Sequence, residues 1–455
     1  MSTYGSLSHH GGNGESICSV LIVGAGLTGL TAAIRLRQAN FQVVVLERAS
    51  ALQKLGAGLQ IPPNCSRVLR ELGVMEKVEA AATAPKALIV RSYVGSQLHH
   101  QTINFQQAKG YGDAHLVIHR ADIARILYEE ALRLGVRILF DARVVDINFD
   151  LGCVQLHTGE GMRADLVLGA DGEHSVCRHL LLGSNNAPSS SGNVVYRLMI
   201  PSSALTADAA LQALISPASI QAWYGPGSHI ICYHLDRQKV LNVVMTLPAA
   251  HGASPTGPQP ADVQVLRDYF RDWDPTIQRL MELTELAQSW TLLEHETCWQ
   301  WAHPSGRFIL LGDSAHTILP YMAQGAAIAI ESAFILAELL ARQRPLGPAL
   351  PDLLRAFTAS RMLRVLCIKN WSKAMEGAFE PVGHSVDWAR SWFDMMRDYR
   401  DREDHLNEQQ LWKESNKFPY PLTDPMVQDL VWGFDPQQAA VSVWRQYTRT
   451  YANPI

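Results

Sequence analysis

An α/β architecture is what this sequence predicts, and three features carry the prediction. Residues 20–23 form a short apolar run that ends in a glycine-rich loop, opens a helical pattern and leads to a second apolar run. From Gly192 the pattern changes to short alternating stretches, as in a separate and mostly antiparallel sheet. From Pro351 the chain is mainly helical in pattern, with an irregular, proline-punctuated tail.

Taken in order, Val20-Leu21-Ile22-Val23 has no polar residue, as a strand covered on both faces requires. A helix is expected over 27–38 and a second buried strand over 43–46, which completes a Rossmann-like βαβ unit with a parallel sheet. A turn-rich stretch, Gly56-Ala57-Gly58-Leu59-Gln60-Ile61-Pro62-Pro63-Asn64, feeds a helix over 65–72. Residues 87–93 and 97–105 alternate around Gly95 and suggest a hairpin outside the nucleotide domain. His119-Arg120-Ala121-Asp122 opens an amphipathic helix ending near Gly135, and strands follow over 137–140, 143–149, 154–157 and 165–168. The second sheet takes 194–200, 221–224, 229–235 and 240–247. A surface loop over 248–260 and helices over 261–273 and 276–286 come next. A last buried strand, 308–311, precedes a helix over 325–341.

The loop Gly24-Ala25-Gly26-Leu27-Thr28-Gly29 has glycines where chemistry needs them. Gly24 permits a tight strand-to-helix turn, Gly26 lets backbone amides approach a pyrophosphate, and Gly29 lets helix lie close on strand. Glu47, with Arg48 beside it, stands at the end of the second strand, where a carboxylate accepts from ribose hydroxyls. That loop alone does not separate NAD from FAD. A second signature does: Leu310-Leu311-Gly312-Asp313-Ser314-Ala315-His316, then Pro320 and Gln324-Gly325-Ala326. Asp313 at a strand end can accept from ribityl or diphosphate-side hydroxyls. Free amides at the helix start, Gly325-Ala326, would point at the N1–C2=O edge of an isoalloxazine. A third run, Gly169-Ala170-Asp171-Gly172, places Asp171 to anchor a turn beneath the pyrophosphate, or to form a purely structural Asx turn.

These signatures resemble those of the single-component (group A) FAD-dependent aromatic monooxygenases, and within them salicylate-hydroxylase-like enzymes, including fungal biosynthetic relatives. The resemblance covers about 20–360 and includes the 56–64 run, His119-Arg120-Ala121-Asp122, Trp301-Ala302-His303-Pro304-Ser305-Gly306-Arg307, Pro320-Tyr321-Met322-Ala323-Gln324-Gly325-Ala326, and Arg361 with Arg364. It departs at Cys177, where a small apolar residue is usual, and at Ser314, where alanine is common. The resemblance implies that Glu47, Gly58, Arg120, Asp313 and Ala326 contact FAD. It implies also that NADPH or NADH binds transiently, because the chain has no second dinucleotide loop. Reduced flavin would take up O2 at C4a as a hydroperoxide and pass one oxygen to an electron-rich carbon.

Such chemistry needs water excluded and the substrate held as a phenolate. The candidates on the second sheet are Arg197, Tyr224 and Tyr233. An edge arginine and two packed tyrosines are the alternative; His229 and His234 are expected to be surface or core histidines, and Trp299 and Trp301 to be packing residues. Phenol or heteroaromatic hydroxylation is the main expectation. Epoxidation of an alkene or indole, and a flavin oxidase or dehydrogenase, stay open.

With 455 residues, net charge −4, 47% hydrophobic and 18% charged residues, the composition fits a soluble enzyme with two or three domains and no nucleic-acid partner. Seven dispersed cysteines without a CxxC pair argue against a disulfide framework or zinc site and for a reducing, cytoplasmic setting. No apolar run spans a bilayer. The oligomer is expected to be a monomer or homodimer. The expected division is a disordered leader over 1–17; an FAD-binding domain from 18–80, 113–190 and 295–350; a substrate domain from 81–112 and 191–294; and a helical segment over 351–455.

Overall fold

Five parallel strands form the centre of the molecule, in the order Phe308–Leu310, Leu166–Gly169, Ser19–Val23, Gln42–Leu46 and Arg137–Leu139. The structure is a computed structural model that describes residues 4–6, 18–52, 56–103, 111, 113–183, 187–225, 227–249, 257–377 and 425–452. Val20, Leu21, Ile22, Val44 and Val45 are fully shielded from solvent or nearly so, which is why their sequence is continuous rather than alternating. The helices Leu27–Gln38 and Gly325–Arg342 lie against one another. Among the described residues no helix is long and apolar enough to cross a membrane.

An eight-stranded sheet stands apart from the parallel one. Its order is Gln259–Ala261, Ala287–Glu294, Ser189–Pro201, Val240–Pro248, Ser228–Leu235, Ile220–Gly225, Ala87–Ser92 and Gln97–Thr102. Only the Ile220–Gly225 and Ala87–Ser92 pair is parallel, so the early hairpin joins strands far along the chain. Leu198, Val243, Met245 and Ile230 bury one face under the helices Val263–Tyr269 and Pro275–Glu282, through Leu266, Phe270 and Ile277. The other face, with Val195, Ala222 and Tyr224, joins the core of the parallel sheet. One face of this sheet is therefore closed by its own helices, and the other meets the parallel-sheet domain.

Several expectations are corrected. Within the expected leader, Tyr4–Ser6 is a strand paired in parallel with Gly161–Arg163. Strand edges recruit backbone groups whatever the side chains, so composition did not reveal it. Val144–Asn148 and Cys153–Leu156 form an antiparallel meander with Gly161–Arg163, and only Leu166–Gly169 of this region enters the parallel sheet. The helix expected over 276–286 ends at Glu282 and a strand, Ala287–Glu294, follows; the helix expected over 261–273 is Val263–Tyr269, capped by Asp262. Gln259–Ala261, expected as the end of the loop and the start of the helix, is a strand. The C-terminal helices include Leu350–Gly377, Pro425–Trp432 and Pro436–Tyr447, while residues 378–424 of the expected helical segment lie outside the described residues. All seven cysteines are buried and free.

Candidate active site

At Gly24 the backbone φ is +107°, and an added Cβ would lie 2.4 Å from the Ala170 carbonyl oxygen, so only glycine fits. Gly29 is tighter still, its Cβ meeting the Gly24 oxygen at 2.0 Å. Gly26 differs, because a Cβ there would meet nothing within 4 Å. It is the N-cap of Leu27–Gln38, whose first turn contains no acidic residue, so free amides face open space. Glu47 Oε2 accepts from Ala25 N and Oε1 from Ala49 N, both at 2.9 Å, and each oxygen keeps a lone pair for a hydroxyl. Arg48 beside it is exposed.

The second signature lands on the first. Gly312 has φ +61°, and its Cβ would lie 2.4 Å from Thr28 Oγ1. Leu311 N donates to Gly169 O at 2.8 Å, next to the Ala170 that meets Gly24. Asp313 accepts no hydrogen bond among the described residues; burial raises its carboxyl and Arg120 opposes that shift. Arg120 starts the helix Arg120–Arg133 and anchors the 56–58 turn, its N donating to Ala57 O at 2.9 Å. Asp171 braces the start of the short helix Val176–Leu182, accepting from Ser175 Oγ and Cys177 N, while Ser175 is the N-cap and accepts from Arg178 N. Neighbouring Glu173 is pushed up to about 7 by burial and by Asp313. Pro320 opens a one-turn helix that ends with Ala323 in the left-handed region at φ +51°, and Gln324 then caps Gly325–Arg342. That first turn also lacks acidic residues, and Gly325 and Ala326 are partly exposed there.

The register of the second sheet decides which of its side chains face this bed. Three adjacent cross-strand rows matter, because directly opposed residues share a face. The first contains Tyr224, His229 and Thr246; the second Ile231, Val244 and Arg197; the third Tyr233, Asn242 and Met199. All three predicted residues therefore lie on one face, with Arg197 in the middle row. Its guanidinium carbon stands 4.5 Å over the Trp290 ring, and Nε is buried without a partner among the described residues. Burial lowers its pKa, Tyr233 raises it and Arg120 lowers it. Burial raises the Tyr233 phenol well above its usual range, so it stays a donor.

The two tyrosines serve different ends of this face. Tyr233 lies on Gly58, where an added Cβ would come within 2.4 Å of its ring, and Gly58 N donates to Asn242 Oδ1 at 3.0 Å. Tyr224 stacks on His229 at 5.8 Å, and His229 meets Tyr321 of the Pro320 turn edge-on at 5.3 Å. His229, expected as a packing or surface residue, is thus on the site face, and burial lowers its pKa to about 3. Asn242, Trp290 and Tyr321 were also not foreseen. The period-2 spacing from Tyr233 to His229 was the available signal for the histidine. Trp301 is buried as expected, whereas Trp299 is 70% exposed.

The two loops, the open space at Gly26, an Asp313 carboxyl that accepts no hydrogen bond among the described residues, and the small residues at Gly325-Ala326 fit one extended FAD. Comparisons agree. A family model for the FAD binding domain matches residues 17–370, and the chain belongs to that family. The FAD-dependent monooxygenase OpS4 of Beauveria bassiana (strain ARSEF 2860) is 30% identical over 420 residues, 91% of this chain and 95% of that protein. A 6-hydroxynicotinate 3-monooxygenase of Bordetella bronchiseptica is 29% identical over 375 residues, 81% of this chain and 95% of that one. A solved salicylate hydroxylase substrate complex shares the fold, with TM-score 0.72 at 20% identity over 94% of this chain and 98% of that chain. The protein is an FAD-dependent monooxygenase.

Proposed function

We propose that the enzyme hydroxylates a small phenolic or heteroaromatic compound with O2 and NADPH or NADH, and that Arg197 and Tyr233 hold the substrate oxygen. The carrying observation is the Arg197 guanidinium, buried on the site face with an open Nε and a protonated phenol nearby. Bound FAD supplies electron transfer and dioxygen activation. Gly26 and the helix behind it would hold the diphosphate, Glu47 the ribose, Asp313 with Arg120 the ribityl side, and the amides at Gly325-Ala326 the flavin ring.

Arg197 and the Tyr233 hydroxyl together favour ionisation of a substrate hydroxyl, which raises the electron density of its ring. His229, with its pKa near 3, stays neutral at physiological pH, so the three rows present one fixed cation. That suits a substrate with one anionic oxygen. In this reading the eight-stranded sheet, from 81–112 and 191–294, is the substrate domain and roofs the cofactor domain, excluding water. The relative named for 6-hydroxynicotinate supports a hydroxylated heteroaromatic ring as substrate class.

The test compares wild type with Arg197→Ala and Arg197→Lys on a panel of phenols and hydroxypyridines, following NAD(P)H oxidation and labelled oxygen in product. Expected is aromatic-stimulated oxidation in wild type, and a loss of roughly 10²-fold or more in kcat/KM for Arg197→Ala, with little rescue by lysine. Unchanged turnover and affinity in Arg197→Ala would remove this substrate anchor. Peroxide made in step with NAD(P)H and no labelled product on any substrate would identify an oxidase instead.

A further inference from the structure

Behind the first turns of the Gly325–Arg342 helix lies a buried polar cluster that neither the cofactor fit nor the substrate face uses. Glu331 is fully buried, and three side chains converge on it. Arg361 Nη2 donates to Oε2 at 2.9 Å, Arg364 to both oxygens at 2.8 Å, and Asn64 Nδ2 to Oε1 at 2.6 Å. Asn64 also donates to Gln324 Oε1 at 2.9 Å, and Gln324 is the cap of that same helix. Asn64 itself sits in the first turn of Pro63–Glu71, directly after the Gly58–Ile61 strand whose Gly58 touches Tyr233. One amide thus ties the helix cap and the buried carboxylate to the strand that supports the substrate face.

The cluster continues outward. Arg364 Nη1 and Nη2 donate to the carbonyls of Leu430 and Val431 at 2.9 and 3.0 Å, and its guanidinium lies 3.8 Å over the Phe434 ring. Arg67, one turn beyond Asn64, donates to the carbonyls of Trp432 and Phe434 at 2.7 and 2.6 Å. These acceptors are at and just beyond the C-terminal turn of Pro425–Trp432, where helix carbonyls have no partner of their own. The helix pair Pro425–Trp432 and Pro436–Tyr447 lies beyond the residues 17–370 that match the family.

We propose that this C-terminal helix pair is a working part of the flavin bed, acting through Arg67 and Arg364 on Glu331, Asn64 and Gln324. Docking of the pair holds the amide end of Gly325–Arg342 and the Gly58 strand in one mutual register. The proposal rests on the reading that this helix end faces the flavin ring. Arg364, Glu331 and Asn64 are positioning residues and touch neither cofactor nor substrate.

The test uses the full-length chain with Glu331→Gln, Arg364→Lys and Arg67→Met, and Arg355→Ala on the exposed side of the Leu350–Gly377 helix as control. FAD affinity of the apoprotein and the midpoint potential of bound flavin are measured, with circular dichroism reporting the fold. Expected are FAD binding weakened roughly tenfold and a more negative potential in folded Glu331→Gln and Arg364→Lys, a smaller change of the same sign in Arg67→Met, and none in Arg355→Ala. Should Glu331→Gln fail to fold, Arg364→Lys and Arg67→Met decide. Variants that melt earlier but keep wild-type affinity and potential overturn the proposal, because a purely structural role moves stability alone. Wild type unable to hold FAD would instead defeat the flavin reading, and this proposal with it.

Discussion

At Gly58 the main chain comes so close to Tyr233 that one methyl group has no room. An alanine Cβ would meet the tyrosine ring at 2.4 Å, its hydroxyl at 2.7 Å and Asn242 Cγ at 2.8 Å. We expect Gly58→Ala to cost about 1–3 kcal/mol of stability and to abolish aromatic-stimulated NAD(P)H oxidation while FAD is retained. Denaturant unfolding and a steady-state assay check both; wild-type activity would mean that the Gly58–Tyr233 contact does not shape the site. Gly24, Gly26, Gly29 and Asp313 were legible in the sequence because a tight turn or an anion cradle imposes a local need. His229 was not singled out, although its even spacing from Tyr233 on one strand puts it on the same face, because a lone histidine is more often a packing residue. Nor could the sequence separate Tyr224 from Tyr233. Both have the parity of the site face, and only the Gly58 strand and the Pro320 turn, brought from elsewhere, assign them to different ends.

Among the elements, the Gly325–Arg342 helix has the most demanding interior. Burial disfavours the Glu331 carboxylate, and Arg364 and Arg361 outweigh this to hold its pKa below the ordinary value. Glu331→Ala would leave two guanidiniums buried without their partner, and should cost about 3–5 kcal/mol. Replacing Glu331, Arg361 and Arg364 together by methionine or leucine should cost less, because no buried charge is left behind. Chemical unfolding of both proteins decides; equal losses would refute the desolvation argument. The helix was plain in the sequence from its apolar run, and Arg361 and Arg364 were marked only through family resemblance. Their convergence on one carboxylate depends on how two helices cross. Ala287–Glu294 escaped prediction because Ala-Gln-Ser-Trp-Thr-Leu-Leu-Glu has little hydrophobic alternation, and pairing with its neighbours makes it a strand.

At the scale of the whole molecule, burial of neutral imidazoles sets a pH limit. Burial is the first cause of the lowered pKa values of His115 and His295, each to about 4, and of His229 and His316, each to about 3. An unfolded chain protonates these rings near 6.5, and the folded one only near 3–4. Their contribution to stability is therefore complete above about pH 6.5 and is lost as pH falls toward 4, at up to about 1.4 kcal/mol per pH unit for each ring. Glu173 acts oppositely: raised to about 7, it favours the fold at low pH and loses that contribution as pH rises through 7. The histidines outnumber it, so the melting temperature should fall steeply below pH 6. His115→Gln should flatten that slope. A melting temperature level between pH 6 and 4.5 would contradict this account.

Sequence alone determined the parallel strands, the glycine loops and the cofactor, because each depends on short-range rules: apolar runs, positive φ, and amides at a helix start. Tertiary structure alone decided which side chains share one face of the second sheet, which tyrosine stands by Arg197, and that Arg364 and Arg67 reach the late helices from the buried Glu331 cluster. Those outcomes follow from strand register and helix crossing, where residues far apart in the chain compete for one buried space.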